Sequence, residues 1–331
     1  MCAKFLSDRR NPAIQILRVF GCVIVFMIHF GQVTYLSGVL RKFTDFGSSG
    51  VQLFFLISGF LAANTFWENS AVDIKTYYIK RAIAILPLYY LVILYFIITE
   101  TILNYFVGHI PPDELHLGWF RYIFVLNGLL NIGAPYWLNL GGTWTVSVFA
   151  SFYLVAPWIL RKTKTVLSAI FVWVTIFVLT GYLRSIYSCY IVESIHWLFL
   201  GNVLYVCVQK NVHQQAILVF LGAIICSIIL NRTTYAYVSV FAIAILLLTT
   251  MDNLTLPNKM QKTIHVLDKY SYTLYLMHGV VFTSLINRLN SLDLPTVFVG
   301  ITAIIGSAFA TWFVGTFMEK PIQRFLRQKF L

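Results

Sequence analysis

Charge is what this sequence has least of. Only 11% of its 331 residues are Asp, Glu, Lys or Arg, where soluble domains carry about 25%. So few charges cannot cover a water-facing surface, which excludes a cytosolic enzyme and a disordered chain. Acids are the scarcer sign, 12 against 24 Lys and Arg. Five cysteines (Cys2, Cys22, Cys189, Cys207 and Cys226) form no CxxC or paired spacing, which excludes a disulfide-stapled secreted module and leaves packing as their use. No GxSxG elbow, P-loop or HExxH is present. His109 and His116 lack metal-ligand company, so no metal site is expected. Met1–Asn11 is polar and the apolar run after it is long enough to stay as a helix, so no cleaved leader is expected.

What is there is apolar. Hydrophobic residues make up 59% and aromatic residues 17%, with a mean hydropathy of +0.79. This composition belongs to an integral membrane protein. A net charge of +12 would suggest nucleic acid as the partner of a soluble chain. Here the basic residues sit between apolar runs, where they set topology, so membrane lipids are expected around the chain and no nucleic acid.

A spanning helix needs about 20 mostly apolar residues. Ten runs qualify: Ala13–Phe30, Gly50–Trp67, Ala82–Asn104, Trp144–Leu160, Thr165–Tyr182, Ile191–Val208, Gln215–Asn231, Tyr235–Thr250, Tyr270–Asn287 and Thr296–Met318. The long connector Tyr105–Thr143 holds Pro111-Pro112 and an apolar stretch, Trp119–Leu130, that reads as interfacial or re-entrant. With the amino terminus in the cytoplasm, the inner segments hold 17 basic residues and the outer segments 6, with Arg18 left within the first run. The positive-inside rule then predicts an all-α bundle of ten spans with both termini cytoplasmic. Residues 1–331 read as a single polytopic domain.

Ionisable groups within spans are costly and mark candidate function. The first run carries Arg18 and His29. Eleven helical residues separate them by roughly 16 Å and return nearly to the same face, so both point into one lane. The plainer alternative is a snorkelling arginine and a histidine satisfied at a helix end. In the ninth run, Ser271, Tyr275 and His278 follow at i, i+4 and i+7, a polar stripe that either glues helices or lines a pocket. The fourth run opens Trp144-Thr-Val-Ser147 and continues to Phe152-Tyr153, offering hydroxyls without an acid.

Several segments together resemble the membrane acyltransferase-3 family. They are Ile16-Leu17-Arg18 with His29 eleven residues on, and Gly50-Val-Gln-Leu-Phe-Phe-Leu-Ile-Ser58-Gly59-Phe60. Tyr78-Ile-Lys80-Arg81, Ile85-Leu-Pro87 and Trp144-Thr-Val-Ser147 with Phe152-Tyr153 and Pro157 follow. Tyr270-Ser271-Tyr, Tyr275-Leu-Met-His278 and Glu319-Lys-Pro321 complete the series. Two positions depart from it: Phe149 stands where many relatives carry an acid, and Ala84 where many carry an arginine.

The resemblance implies O-acyl transfer from acyl-CoA, usually acetyl-CoA, to a hydroxyl of a cell-envelope or exported glycan, often lipid-linked, in the inner (plasma) membrane. His29 and Arg18 are then the catalytic pair. Arg18, Lys80 and Arg81 are the groups for the coenzyme phosphates, and Ser58, Trp144, Ser147, Tyr153, Ser271, Tyr275 and His278 line or support the substrate path. Histidine suits the chemistry because its ordinary pKa of about 6.5 is near working pH. It can act as a base or as a covalent acyl carrier. A glycan-precursor transporter or flippase is the competing reading, since intramembrane charge serves transport too, and a non-catalytic assembly protein is a third.

Overall fold

A computed structural model describes residues 11–68, 72–102, 119–130, 141–229, 237–243, 256–292 and 294–331. Every regular element among the described residues is helical. In chain order the main helices are α1 (Pro12–Val33), α2 (Gly38–Asp45), α3 (Gly50–Glu68), α4 (Ile74–Phe96), α5 (Trp119–Ile123), α6 (Trp144–Leu160), α7 (Val166–Ile186), α8 (Tyr190–Gln209), α9 (His213–Ile229), α10 (Asn258–Val281), α11 (Thr296–Val314) and α12 (Lys320–Phe330). Among the described residues, six helices are long and apolar enough to cross a membrane, and two shorter apolar helices, α6 and α9, accompany them. Within the described residues, eight of the ten expected runs fall on these helices, and the run Tyr270–Asn287 falls on α10 and the widened turn after it. Of the run Tyr235–Thr250, only residues 237–243 lie within the described residues, and they are helical.

Helix ends follow local chemistry. Asn11 accepts from the Ala13 amide at 2.9 Å and Pro12 occupies the first helical position of α1, where its missing N–H costs nothing. Asp73 caps α4 by accepting from the Thr76 amide and hydroxyl at 2.8 and 2.7 Å. Those bonds hold its carboxyl below the usual carboxylate range. The ninth run differs from expectation at its start: α10 begins at Asn258 instead of Tyr270. Hydropathy counts only the apolar part, whereas Pro257 provides the actual start signal and the polar residues 258–269 continue the same helix. The Trp119–Leu130 stretch is the short helix α5 followed by turns, with Tyr187 donating to the Leu129 carbonyl at 2.8 Å.

The described residues divide into two compact units. One comprises residues within 1–72, 155–186 and 194–272, and the other residues within 73–154, 187–193 and 273–331. At the centre of the first unit is α8, which is buried continuously from His196 to Val208, as expected of a helix that is apolar all round. It meets α3 with almost no room between backbones. A Cβ added at Gly59 would lie 1.8 Å from the Leu198 carbonyl oxygen, and one at Gly201 would lie 2.1 Å from that of Leu56. Small residues permit this approach, the usual device where water supplies no drive for helices to associate. In the second unit, Tyr89, Val92 and Phe96 of α4, Val146 and Phe152 of α6, and Val299 and Ala303 of α11 are buried. Outward apolar side chains such as Phe171 (70% exposed) and Ile305 (63%) suit lipid as solvent.

The glycine crossing gives a direct test. Gly59→Ala or Gly201→Ala forces the α3 and α8 backbones apart and lowers stability by about 1–3 kcal/mol or more. Gly222, which has nothing within 4 Å of an added Cβ, is the control. Gly222→Ala is neutral or stabilising by up to about 1 kcal/mol, because alanine is the better helix former. Thermal unfolding of the detergent-purified variants reads both effects.

Candidate active site

In the first unit, α1 carries the residues of interest on one unbroken helix, so the helical spacing of Arg18 and His29 holds. One face of α1 is tied to α10 by three rungs. The Gln15 amide lies 3.0 Å from His265 Nδ1, Arg18 Nη2 donates to Asp268 Oδ2 at 2.6 Å, and Cys22 Sγ donates to the Ser271 carbonyl at 3.2 Å. The steps 15, 18, 22 and 265, 268, 271 are each the spacing of one helical face. Ser271 Oγ in turn donates to the Asp268 carbonyl at 2.8 Å.

The central rung is an ion pair withdrawn from water, with the Arg18 and Asp268 side chains 26% and 8% exposed. Desolvating two charges is costly, and a short charge-assisted bond offsets it. Arg18 Nε remains buried without a hydrogen-bond partner, so Asp268 engages only part of the guanidinium. Asp268 was not foreseen from the sequence. It lies just before the apolar part of α10, where an acid reads as a loop residue, and it stands 250 positions from its partner.

His29 is half-buried, and its Nδ1 lies 2.9 Å from Gln32 Oε1, one turn on. With that oxygen accepting, the proton sits on Nδ1 and Nε2 is the basic nitrogen. Ser58, half-buried on α3, directly precedes the glycine of the α3–α8 crossing.

In the second unit, Lys80 is exposed and Arg81 half-buried on α4. The Arg81 guanidinium lies 4.7 Å from the Tyr153 ring centroid and 5.2 Å from that of Tyr77. Neither Lys80 nor Arg81 is in an ion pair among the described residues. Phe149 stacks on Tyr153 with centroids 6.1 Å apart. Ala84 serves through its carbonyl, which accepts from Gln323 Nε2 at 3.2 Å.

Ser147 is fully buried and holds the turn after α5. It donates to Asn127 Oδ1 at 2.6 Å and accepts from the Gly128 amide at 3.0 Å, while Asn127 Nδ2 donates to Thr143 Oγ1 at 3.0 Å. Asn127 was also missed, as a single amide inside an apolar stretch. Trp144 stacks on Tyr190 at 4.4 Å. Tyr275 donates to the Gly142 carbonyl at 3.4 Å, and its ring meets His278 edge-on at 5.9 Å. His278 Nδ1 donates to the Leu274 carbonyl at 3.0 Å. Thr273 and Gln323 donate to the buried Glu319 at 2.6 and 3.0 Å. Much of the polar inventory in this unit is thus occupied in holding helices and turns.

A family model described as an acyltransferase domain matches residues 11–316, nearly the whole chain. The chain belongs to the acyltransferase-3 family. No curated protein and no solved structure matches it. As an acyltransferase-3 member with several helices long and apolar enough to cross a membrane, it is a membrane acyltransferase in class. Among the described residues no group of three metal-ligating side chains gathers.

Asp268→Ala tests the rung. It leaves the Arg18 guanidinium partly desolvated without its anion. The expected loss lies between the ~1 kcal/mol of an exposed pair and the ~3–5 kcal/mol of a fully buried one, about 2 kcal/mol in thermal or denaturant unfolding. The double variant Arg18→Leu with Asp268→Leu recovers most of that loss, since neither charge is then left alone.

Proposed function

We propose that this acyltransferase moves an acyl group, acetyl first among candidates, from acyl-CoA to a hydroxyl of a cell-envelope or exported glycan at the inner membrane. The observation that carries the reading is the family match, which spans both the first helix with its Arg18–His29 pair and the basic pair Lys80–Arg81. Residues 1–331 act as one polytopic domain of ten spans with both termini cytoplasmic, a topology supported by the 17-to-6 asymmetry of basic residues.

A thioester is already activated, so the protein needs to deprotonate the acceptor and hold the donor. His29 Nε2 takes the proton from the acceptor hydroxyl as its oxygen attacks the thioester carbonyl. The carbon–sulfur bond breaks, the acyl group passes to oxygen, and the coenzyme leaves as a thiolate that takes up a proton. The Gln32 contact on Nδ1 fixes the ring for this task. Lys80 and Arg81 suit the coenzyme phosphates because no carboxylate pairs with them among the described residues. Arg18, with Asp268 on Nη2 only, orients the donor through its remaining N–H groups. Ser58, Trp144, Ser147, Tyr153, Ser271, Tyr275 and His278 shape and support the substrate path.

Removing a general base loses about 10²–10⁴-fold in rate. His29→Gln therefore abolishes detectable acyl transfer by purified protein at unchanged thermal stability, while His278→Gln retains turnover. Normal turnover by His29→Gln with a dead His278→Gln reverses the assignment, and activity in both with substrate still crossing the membrane favours a transporter. Lys80→Ala with Arg81→Ala raises the acyl-CoA Kd without unfolding the protein. Each lost charge-assisted contact contributes about 1.5–3 kcal/mol, read by titration of coenzyme into the purified double variant. A reporter fused after Leu331 gives a cytoplasmic signal, and one inserted in the 105–143 connector does not.

A further inference from the structure

A second cluster of cations, in the first unit, is distinct from the groups assigned above. Arg161 and Lys164 leave the end of α6, and Lys210 leaves the end of α8. All three converge on the last turn of α3. Arg161 donates to the Val72 carbonyl and stands over the Phe66 ring at 5.7 Å. Lys164 donates to the Phe66 carbonyl. Both lysine ammonium groups lie against one indole, Lys164 at 5.2 Å and Lys210 at 5.5 Å from the Trp67 centroid.

Helix-end carbonyls and aromatic faces attract cations, which accounts for the position of each group singly. They do not neutralise three like charges gathered at one place. None of the three forms an ion pair among the described residues, and Arg161 Nε is buried without a hydrogen-bond partner. Burial pulls the Lys164 ammonium below the ordinary lysine range. Lys210 and the neighbouring Lys162 are exposed, so the cluster is open to a ligand.

We infer that Arg161, Lys164 and Lys210, set around Trp67, form a binding site for a phosphoryl anion, occupied by the headgroup phosphate of an anionic phospholipid. The lipid source follows from position. The cluster caps an apolar helix long enough to span a membrane, and the ring between the lysines is a tryptophan, the side chain that settles at headgroup depth. Basic groups at that depth attract anionic lipid. The inference does not depend on the acyl-transfer reading, and its failure leaves that reading intact.

The test is native mass spectrometry of the full-length protein released from nanodiscs of phosphatidylglycerol or of phosphatidylcholine, with coenzyme A and inorganic phosphate titrated separately. Wild type retains phosphatidylglycerol over phosphatidylcholine. Lys210→Gln retains it about five- to tenfold less, and Lys164→Gln with Lys210→Gln less again, while Arg184→Gln, a charge control on α7, behaves as wild type. Because Lys210 is exposed, the single variant decides the question even if the double variant fails to fold. Equal phosphatidylglycerol retention in all variants overturns the site. Equal retention of the two lipids by wild type overturns its anion preference. Unchanged lipid retention with lost coenzyme A or phosphate binding overturns the lipid assignment and gives the site to a soluble phosphate.

Discussion

An arginine on an apolar helix has no water to turn to, and most of what distinguishes the first unit follows from how Arg18 meets that constraint. Asp268 supplies the anion at 2.6 Å. Because one ion pair alone would leave the helices free to rotate about it, the rungs one turn to either side matter as much. Gln15 against His265 and Cys22 against Ser271 fix the register of α1 on α10. With that register fixed, the face of α1 that carries His29 is fixed as well. The same rule recurs deeper in the unit: Tyr205 donates to Asn64 at 2.8 Å, Asn202 to Thr163 at 3.1 Å, and Tyr237 lies 2.6 Å from His196 Nε2. In each of these pairs a buried polar group on one element is matched by one on another.

The second unit meets the constraint differently. Its polar groups hold short irregular segments instead of long helix faces. Ser147, Asn127 and Thr143 fasten the turn after α5, and Thr273, Glu319 and Gln323 fasten the region where α11 passes through a widened turn into α12. Arg81 stands apart because its neighbours are aromatic rings. Tyrosine faces hold a guanidinium in place without neutralising it. The rings of Tyr77 and Tyr153 therefore set the position of the cation, with Phe149 stacked behind Tyr153, while the absence of an acid among the three preserves its field.

What could be read in the sequence divides along a physical line. Apolar runs are visible because the solvent of a spanning helix selects for them, and the described helices fall where those runs do. Arg18 and His29 stand out for the converse reason, being costly where they are. Partners were not visible. Asp268 carries no cost signal of its own at the edge of an apolar run, and the helical face that brings it to Arg18 exists only once α10 is extended back to Asn258. Ser147 was visible as a hydroxyl near other candidates, but nothing local tells a serine that lines a path from one that holds a turn. Pairing across some 250 residues is a property of the fold, and hydropathy carries no trace of it.

The claim on which the functional reading rests is that acyl groups on the host's surface glycans depend on this protein. Mass spectrometry of those glycans, from cells with the intact gene, without it, and with it restored, addresses that claim without assuming the sugar or the acyl group. The expected result is a glycan species lighter by the mass of one acyl group in its absence and restored with the gene. Identical glycan spectra in all three contradict it.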